Sequence, residues 1–216
     1  MTPRTVQIDF STITAYQRYK LMASLIVPRP IALVTTINAS GVVNAAPFSM
    51  FNMLGEDPPI LMISVNKLQD HHLKDTSANI LANKEFVVHI ADEPMAAQMH
   101  RCGETLPSSI SELQVVGLTS APSRAVRPPY IVEAPVAFEC VLSEKLETAS
   151  RHIFIGQVAW LHARDDLIDT ERFRVRLQNY FPVARFGASY YIRTRDRFSM
   201  DPEVAGAESN PIDELN

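Results

Sequence analysis

Two long extended runs, PVAFECVL at 135–142 and IFIGQVAWL at 153–161, follow one another in this sequence and are joined by a charged turn. Both are rich in the β-branched and aromatic residues that favour strands. Shorter runs of the same kind lie upstream at 31–37, 60–65 and 85–90. Few helical patterns separate these runs, so the sequence predicts an antiparallel barrel rather than alternating strands and helices. The expected fold class is mainly β (α+β), with helices packed outside the barrel.

Local patterns place further elements around these strands. Apolar residues at helical spacing predict a helix from Ala15 to Leu25. Turn residues at 38–41 predict a hairpin whose second strand begins at Val42. Two more helices are predicted over 71–83, with Asp70 as N-cap, and over 91–101.

Prolines mark two segments as irregular. Pro47 makes 44–51 a loop or an edge strand rather than a central strand, because proline cannot donate to a strand ladder. The segment 108–127 is mixed and punctuated by prolines, which predicts an excursion on the surface. The end of the chain, 199–216, is acidic and contains no Lys or Arg, so we expect a single domain over 1–198 followed by a flexible tail.

Composition excludes several classes of protein. Of the 216 residues, 46% are hydrophobic and 20% are charged, which is typical of a soluble globular chain rather than a disordered or fibrous one. The net charge of -4 gives no field that attracts a polyanion, so no nucleic-acid partner is expected. No apolar stretch is long enough to span a membrane, and the first residues lack the apolar core of a signal peptide. A cytoplasmic protein without membrane partners is expected.

The motifs of several common sites are absent. Neither GxGxxG nor GxxxxGK[ST] occurs in the sequence, which argues against a Rossmann or P-loop nucleotide site. Cys102 and Cys140 form no CxxC pattern and lack an evident paired base, so both are expected to be reduced and unreactive. The histidines show no HExxH spacing, and no metal site is expected.

Four segments together carry a resemblance to a known family. They are IVPRPIALVTT at 26–36, NAAPFS at 44–49, KDT at 74–76 with Asn79, and VARFG at 183–187. In the order and spacing of these segments the chain, from about Tyr16 to about Tyr191, resembles the flavin reductase-like family of FMN-binding split β-barrels. The resemblance implies a split barrel, usually a homodimer, that binds FMN near the dimer interface. NADH or NADPH is the electron donor that it implies, and FAD in place of FMN stays open.

A flavin site needs charge and donors at the phosphate, polar backbone at the ring edge and an apolar wall behind the ring. The candidates for the ring edge are Asn44, Ala45, Ala46, Pro47, Phe48 and Ser49. Their small side chains let backbone groups approach a ligand, and Pro47 fixes that backbone. An ordinary edge strand with a proline bulge would explain the same residues without a ligand.

The phosphate candidates combine a cation, a hydroxyl and an amide near one helix: Lys74, Thr76 and Asn79. Arg29, locked between two prolines, adds a planar fork of donors that fits phosphate oxygens. A solvated surface charge is the alternative for each basic residue.

Four more residues are candidates for flavin contacts. Thr36 is preferred to Thr35, because the two point to opposite faces of a strand, although cross-strand packing also explains it. Ser64 and Asn66 lie two apart at a strand end and suit the phosphate or the ribityl chain, or else a turn. Arg185 belongs to the late Arg-x-Gly that the resemblance associates with the flavin or the opposite subunit, and an interface salt bridge is the alternative.

His89 is the candidate for a pocket that receives the electron donor or a substrate, and a hydrogen-bonded core histidine is the alternative. No residue is expected to act as an obligatory acid or base, because a flavin performs the hydride chemistry itself. The expected function is an NAD(P)H-dependent flavin reductase that could feed a partner monooxygenase. Two alternatives stay open, a flavoredoxin-like electron carrier and a split-barrel enzyme redirected to a specific small molecule through His89, 100–102 and 108–127.

Overall fold

Strands predominate in the computed structural model, which describes residues 4–68, 72–198 and 200. In chain order the strands are β1 (Arg29–Pro30), β2 (Ala32–Ile37), β3 (Val43–Phe48), β4 (Phe51–Glu56), β5 (Pro59–Asn66), β6 (Glu85–Ile90), β7 (Ser120–Ala121), β8 (Tyr130–Ile131), β9 (Val136–Glu147), β10 (Arg151–Ala163), β11 (Ile168–Asp169), β12 (Arg174–Val175), β13 (Val183–Gly187) and β14 (Tyr190–Arg193). The helices are α1 (Ala15–Leu25), α2 (Asp75–Asn83), α3 (Ala96–Arg101) and α4 (Glu112–Val116), with a 3-10 helix at Leu177–Asn179.

Seven antiparallel strands form the principal sheet, in the order β3-β2-β6-β9-β10-β5-β4. The long strands β9 and β10, of 12 and 13 residues, pair with each other near its centre, as the two extended runs in the sequence predict. A three-stranded sheet, β1-β13-β14, joins the chain just before β2 to the chain near its end. The arrangement confirms the expected mainly β, antiparallel class with flanking helices.

Strand β2 is buried on both faces because it separates two apolar clusters. Ile31 and Leu33 pack into one cluster together with residues of α3 and α4. Ala32 and Val34 pack into the other, which contains residues of β5, β6 and β9. Burial on both faces explains why this strand reads as a continuous apolar run. Its partner β3 pairs with no other strand of the sheet, so the interpretation of 44–51 as an edge strand is confirmed up to Phe48.

Two helices begin later than their sequence patterns predict. Helix α2 begins at Asp75, because Lys74 has an extended backbone and is its N-cap. The predicted N-cap Asp70 lies outside the described residues, as does His71. Helix α3 begins at Ala96 rather than at 91, because Asp92 forms a β-bridge with Pro182 and so is held out of the helix.

The segment 108–127 is not the surface excursion that its prolines predict. It contributes buried Leu113, Leu118 and Val126 to the core, together with the buried polar residue Glu112. Its irregular backbone therefore connects buried side chains. Strand β4 was not predicted, because its residues show no alternation of buried and exposed positions.

In the described part of the chain, no helix is long and apolar enough to cross a membrane. Across the same residues, no group of three or more His, Cys, Asp or Glu side chains could hold a metal ion. Of the acidic tail, only Met200 lies within the described residues.

Candidate functional site

Strand β3 is an edge strand of the principal sheet, so one side of its backbone faces away from its only strand partner in that sheet, β2. The Ala45 N–H lies on that edge and donates to Glu112 Oε2 at 2.8 Å. Alternate residues of an antiparallel strand direct their backbone groups the same way, so the Pro47 carbonyl also points away from β2. Proline suits this position because it has no N–H to leave unpaired. The edge is therefore fixed in conformation and offers carbonyl acceptors.

A cavity of about 440 Å³ lies against this edge, and we call it the β3 cavity. Its volume falls within the range of small-molecule sites. Strand β3 lines it with Asn44, Ala46, Pro47 and Phe48, the start of α2 with Lys74, Asp75 and Thr76, and the chain after α3 with residues 102–106, together with Leu68, Leu73, Ser108 and Glu112. The cavity thus has a polar end at α2 and a backbone wall at β3.

The α2 end of the β3 cavity is suited to an anion. No side chain caps this nine-residue helix at Lys74, and the N–H groups of a first helical turn have no acceptor within the helix. The positive end of the helix dipole adds to the charge of Lys74. Burial lowers the pKa of Lys74, and the nearby positive charge of Arg151 lowers it further. Ser77 Oγ, buried in the same turn, has no hydrogen-bond partner among the described residues.

A buried hydrogen-bond network connects four of the residues that the sequence singles out. Asn44 Nδ2 donates to Thr76 Oγ1 at 3.0 Å, and Asn79 Nδ2 donates to Thr36 Oγ1 at 3.0 Å. Asn44 Nδ2 also lies 3.4 Å from Thr36 Oγ1. The network therefore fastens α2 to β2 and β3. Thr35, on the other strand face, donates instead to the Pro129 carbonyl at 2.7 Å.

Two of the predicted flavin contacts are fully buried in the structure. Thr36 and Ala45 are both 0% exposed, and the Ala45 N–H is already bonded to Glu112. Thr36 acts through Asn44 and Asn79, which it holds in place. Neither residue has surface to offer a ligand in this structure, and a direct flavin contact stays a prediction for both.

Two buried residues of the β3 cavity were not predicted to belong to it. Burial raises the pKa of Glu112, and the hydrogen bond from Ala45 acts against this rise. Burial, with the nearby charge of Glu112, raises the pKa of the Cys102 thiol to about 12. Burial likewise raises the pKa of the Cys140 thiol. Both thiols are therefore protonated at neutral pH.

A second open space lies between α1 and the sheets, and we call it the α1 groove. It consists of two cavities of about 410 Å³ each, which share Tyr16, Tyr19, Pro47 and Ser49 as lining residues. Lys20, Arg29 and Arg185 line one part. Ser64, Asn66 and Arg151 line the other. Pro47 and Phe48 also line the β3 cavity, so the two spaces adjoin at these residues.

Two arginines face each other in the α1 groove. Arg29 and Arg185 are cross-strand partners of β1 and β13. Arg29 donates from Nη1 to the carbonyls of Ala23 and Ile26, the latter at 2.7 Å, and so caps the end of α1. Burial, with the charge of Arg185, lowers the pKa of Arg29.

The second arginine is held by Tyr191. Arg185 donates from Nη1 to Tyr191 Oη at 2.6 Å, and its guanidinium lies 4.8 Å from the centre of that ring. Tyr191 Oη also lies 2.8 Å from His100 Nδ1. The arginine fork is therefore positioned by its own neighbours.

The structure divides the predicted phosphate residues into two groups. Lys74 and Thr76 line the β3 cavity, whereas Arg29 lines the α1 groove. Arg29 therefore does not line the same space as Lys74 and Thr76. Ser64, Asn66 and Arg185 accompany Arg29 in the groove. Arg29 Nε donates to Ser49 Oγ at 3.4 Å.

His89 does not line a pocket. Its ring is 0% exposed, its Nδ1 lies 2.9 Å from the Leu33 carbonyl, and its Nε2 accepts the Ile131 N–H at 2.9 Å. Burial lowers its pKa from 6.5 to about 4, so the ring is neutral at neutral pH. In this structure His89 is therefore a hydrogen-bonded core histidine, and the prediction of a donor or substrate pocket there gains no support.

Several residues of both spaces were missed at the level of sequence. Glu112 is brought to Ala45 across 67 positions, and no local pattern signals that contact. Arg151 begins a strand and carries no motif. The apolar spacing of Tyr16 and Tyr19 does predict helix α1, yet both rings are largely exposed and line the groove.

Comparison with known proteins assigns the family. Residues 22–196 match the model of the flavin reductase like domain, so the chain belongs to that family. A solved structure of 2-nitrobenzoate 2-nitroreductase from Pseudomonas fluorescens is similar, with 40% identity, a TM-score of 0.83, and coverage of 90% of this chain and 95% of that one. Nitrilotriacetate monooxygenase component B from Bacillus cereus shows 31% identity and a TM-score of 0.87, covering 92% and 100%.

A curated relative extends the same result. An uncharacterized protein of Aquifex aeolicus is 41% identical over 175 residues, which cover 81% of this chain and 89% of the relative. At the level of fold alone, a flavin reductase with a split barrel domain from Shewanella frigidimarina, 21% identical, has a TM-score of 0.76 and covers 89% of this chain and 94% of that one. The expected split-barrel fold and flavin reductase-like family are both confirmed.

Proposed function

We propose that this protein is an FMN-dependent oxidoreductase of the NAD(P)H:flavin reductase type. The observation that carries the proposal is the uncapped start of α2 beside Lys74, which opens into a cavity along the fixed edge of β3. Membership of the flavin reductase-like family supports it. When bound, FMN supplies the chemistry, because its ring accepts a hydride from a nicotinamide cofactor and passes the electrons on.

The residues of the β3 cavity fit such a cofactor. Lys74, Thr76 and the first-turn N–H groups of α2 form a donor set of the kind that holds a phosphate monoester. The small side chains of β3 let its edge carbonyls approach a planar ring with N–H groups. Asn44 and Asn79 hold Thr76 and α2 in position through their hydrogen bonds. FAD would need additional room, for which the adjoining α1 groove is the available space.

Protein side chains in this proposal bind and orient rather than transfer protons. Glu112 holds the edge of β3 through Ala45, and the protonated Cys102 thiol closes one wall. Neither is assigned as an acid or base. The Glu112 contact keeps the backbone edge in one conformation, and a fixed geometry is what a hydride transfer between two bound rings requires.

A second candidate function is a reductase with its own small-molecule substrate. It is favoured by the similarity to 2-nitrobenzoate 2-nitroreductase, at 40% identity over 90% of this chain. For this candidate, the residues proposed to contact the small-molecule substrate lie at 100–102 and 108–127, because His89 is buried. A flavoredoxin-like carrier stays a third candidate; solved flavoredoxins from Desulfovibrio vulgaris and Methanosarcina acetivorans, 20% and 17% identical to this chain, are similar to it in fold only.

We also propose a homodimer, a single domain over 1–198 and a cytoplasmic location. Exposed Met22, Leu25 and Ile26 at the end of α1 supply an apolar surface that a second copy could cover. The two free, buried cysteines suit a reducing compartment. A partner monooxygenase that consumes reduced flavin is proposed by analogy with component B of the nitrilotriacetate monooxygenase.

An absorbance experiment tests the proposed function. Purified protein is incubated with FMN, freed of excess flavin by gel filtration, and mixed anaerobically with NADH and then with NADPH. We expect flavin bands that remain with the protein and bleach within seconds of adding one of the two nucleotides.

Other outcomes separate the candidates. Flavin that is retained but bleached only by dithionite would contradict the reductase and favour the carrier. Nucleotide oxidation that requires 2-nitrobenzoate and is not supported by free FMN would favour the dedicated small-molecule reductase. Protein that retains no flavin, does not reduce free flavin and does not oxidise either nucleotide in the presence of 2-nitrobenzoate would refute all three.

A further inference from the structure

The α1 groove carries positive charge without a counter-charge. Lys20, Arg29, Arg151 and Arg185 line it, and none of its described lining residues is acidic. Within the described part of the chain, no salt bridge involves any of these four side chains, whereas Lys67, Arg127 and Arg164 do form them. An unbalanced group of cations in a concave space favours an anionic ligand.

The geometry of the two arginines strengthens this reading. Like charges that lie directly opposite each other on paired strands are destabilising, yet Arg29 and Arg185 occupy such a pair. Each is held there by neutral partners, Arg29 by the α1 carbonyls and Arg185 by Tyr191. Their forks are therefore fixed before any anion arrives, which lowers the entropy cost of binding one.

Aromatic rings accompany these cations. Lys20 Nζ lies 5.6 Å from the centre of the Tyr16 ring, and Arg151 lies 5.9 Å from that of Tyr19. The exposed fractions of Tyr16 and Tyr19 are 69% and 47%, so both rings have faces free for a ligand. Rings beside fixed cations suit a planar group that carries a negative charge.

We propose that the positively charged α1 groove binds the second substrate of the flavin. This substrate is an aromatic anion, whose negative charge is on a phosphate or a carboxylate. Lys20, Arg29 and Arg185 bind the anionic group, and Tyr16 and Tyr19 contact the ring. The inference rests on the proposed function, because it assigns the groove to the molecule that exchanges electrons with FMN. Pro47 lines both spaces, so a ligand in the groove borders the β3 cavity there.

The test compares Lys20→Gln and Lys20→Glu with Arg18→Gln. Arg18 lies on the same helix, donates to the Phe10 carbonyl and is not part of the groove lining, so its variant controls for the loss of a positive charge from α1. Two unreactive probes are titrated calorimetrically into protein with and without FMN: adenosine 5′-monophosphate for a nucleotide source and benzoate for an aryl carboxylate. FMN affinity is measured on every variant.

We expect at least one probe to bind the unaltered protein and Arg18→Gln equally. Binding should be about fivefold weaker in Lys20→Gln, as for the loss of one exposed ion pair, and weaker again in Lys20→Glu. Raising the salt concentration should reduce the difference. FMN affinity should not change. The probe that binds identifies the source of the anion.

Three outcomes would overturn the inference: neither probe binds, a probe binds the Lys20 variants undiminished, or the Lys20 variants lose FMN affinity instead, which would make the groove part of the flavin site. Failure of the proposed function looks different. Protein that holds no FMN and yet binds a probe through Lys20 would refute the flavin assignment while keeping the anion site.

Discussion

Replacing Lys74 by Ala should weaken the binding of FMN and leave the binding of riboflavin unchanged. Riboflavin has the same ring and ribityl chain as FMN but no phosphate. Lys74 is the cation at the end of the β3 cavity, next to the uncapped first turn of α2. A change that affects only the phosphorylated ligand would assign Lys74 to the phosphate rather than to the ring.

The magnitude follows from the contacts that remain. A hydrogen bond to a charged group contributes about 1.5–3 kcal/mol, and each 1.4 kcal/mol corresponds to about tenfold in affinity. The variant keeps Thr76, the N–H groups of α2 and the positive charge of Arg151. We therefore expect the dissociation constant of FMN to rise about 10- to 100-fold, at the lower end of that range in high salt.

Lys84→Asn is the matched control. Lys84 is exposed at the other end of α2, as its left-handed C-cap with φ 63°, a conformation that Asn adopts readily. Nine residues of helix separate the two lysines by about 13 Å, which exceeds the Debye length of about 8 Å at physiological salt. Lys84→Asn should thus remove the same charge without affecting either flavin.

Binding is measured by the change of flavin fluorescence on titration with protein, for both ligands and all three proteins. Undiminished FMN affinity in Lys74→Ala would refute the phosphate assignment. An equal loss for FMN and riboflavin would mean that the substitution damages the cavity as a whole. A loss for FMN in both lysine variants would mean that general charge, not position, attracts the ligand.

Two further predictions concern the core. The pKa of His89 is about 4 in the folded protein and 6.5 in the unfolded chain, so the folded protein binds fewer protons between these pH values. The contribution of His89 to the free energy of unfolding is therefore fully present above pH 6.5, and the free energy of unfolding falls by about 3 kcal/mol as the pH is lowered to 4. Urea unfolding at both pH values should show this loss and a smaller one in His89→Gln, and equal losses would contradict it. Gly156→Ala should cost about 1–3 kcal/mol or more in the same assay at pH 7, because its Cβ would meet the Phe86 ring and Cys140; unchanged stability would show that this part of the barrel yields easily.

The strands of the barrel could be predicted because their signals are local. β2, β5, β6, β9 and β10 all coincide with runs of β-branched and aromatic residues, which suit a pleated, buried surface. The helix starts were less predictable. α3 begins late because Asp92 pairs with Pro182, a contact between residues 90 positions apart that no window of sequence contains.

The candidate site divides in the same way. Pro47 marks the edge strand through a property of one residue, its missing N–H. The grouping of Lys74, Thr76 and Asn79 near one helix also follows from local spacing. Arg29 lines the α1 groove instead, because the position of a side chain between two prolines does not determine which cavity it faces, and its contact with a phosphate stays a prediction. Glu112 and Arg151 could not be assigned at all, since only the folded chain brings them to the site.

The separation of the cations into two groups bears on how two anionic molecules can bind together. FMN carries a phosphate, and the proposed second substrate carries its own negative charge, so a shared binding site would bring like charges together. Lys74 and the α2 turn serve one space, and Lys20, Arg29 and Arg185 serve the other. Each anion would then have cations of its own, and the two ligands would adjoin at Pro47 and Phe48, which line both spaces. A proline at that point holds the shared wall in place and, lacking an N–H, offers a ligand only its carbonyl as an acceptor.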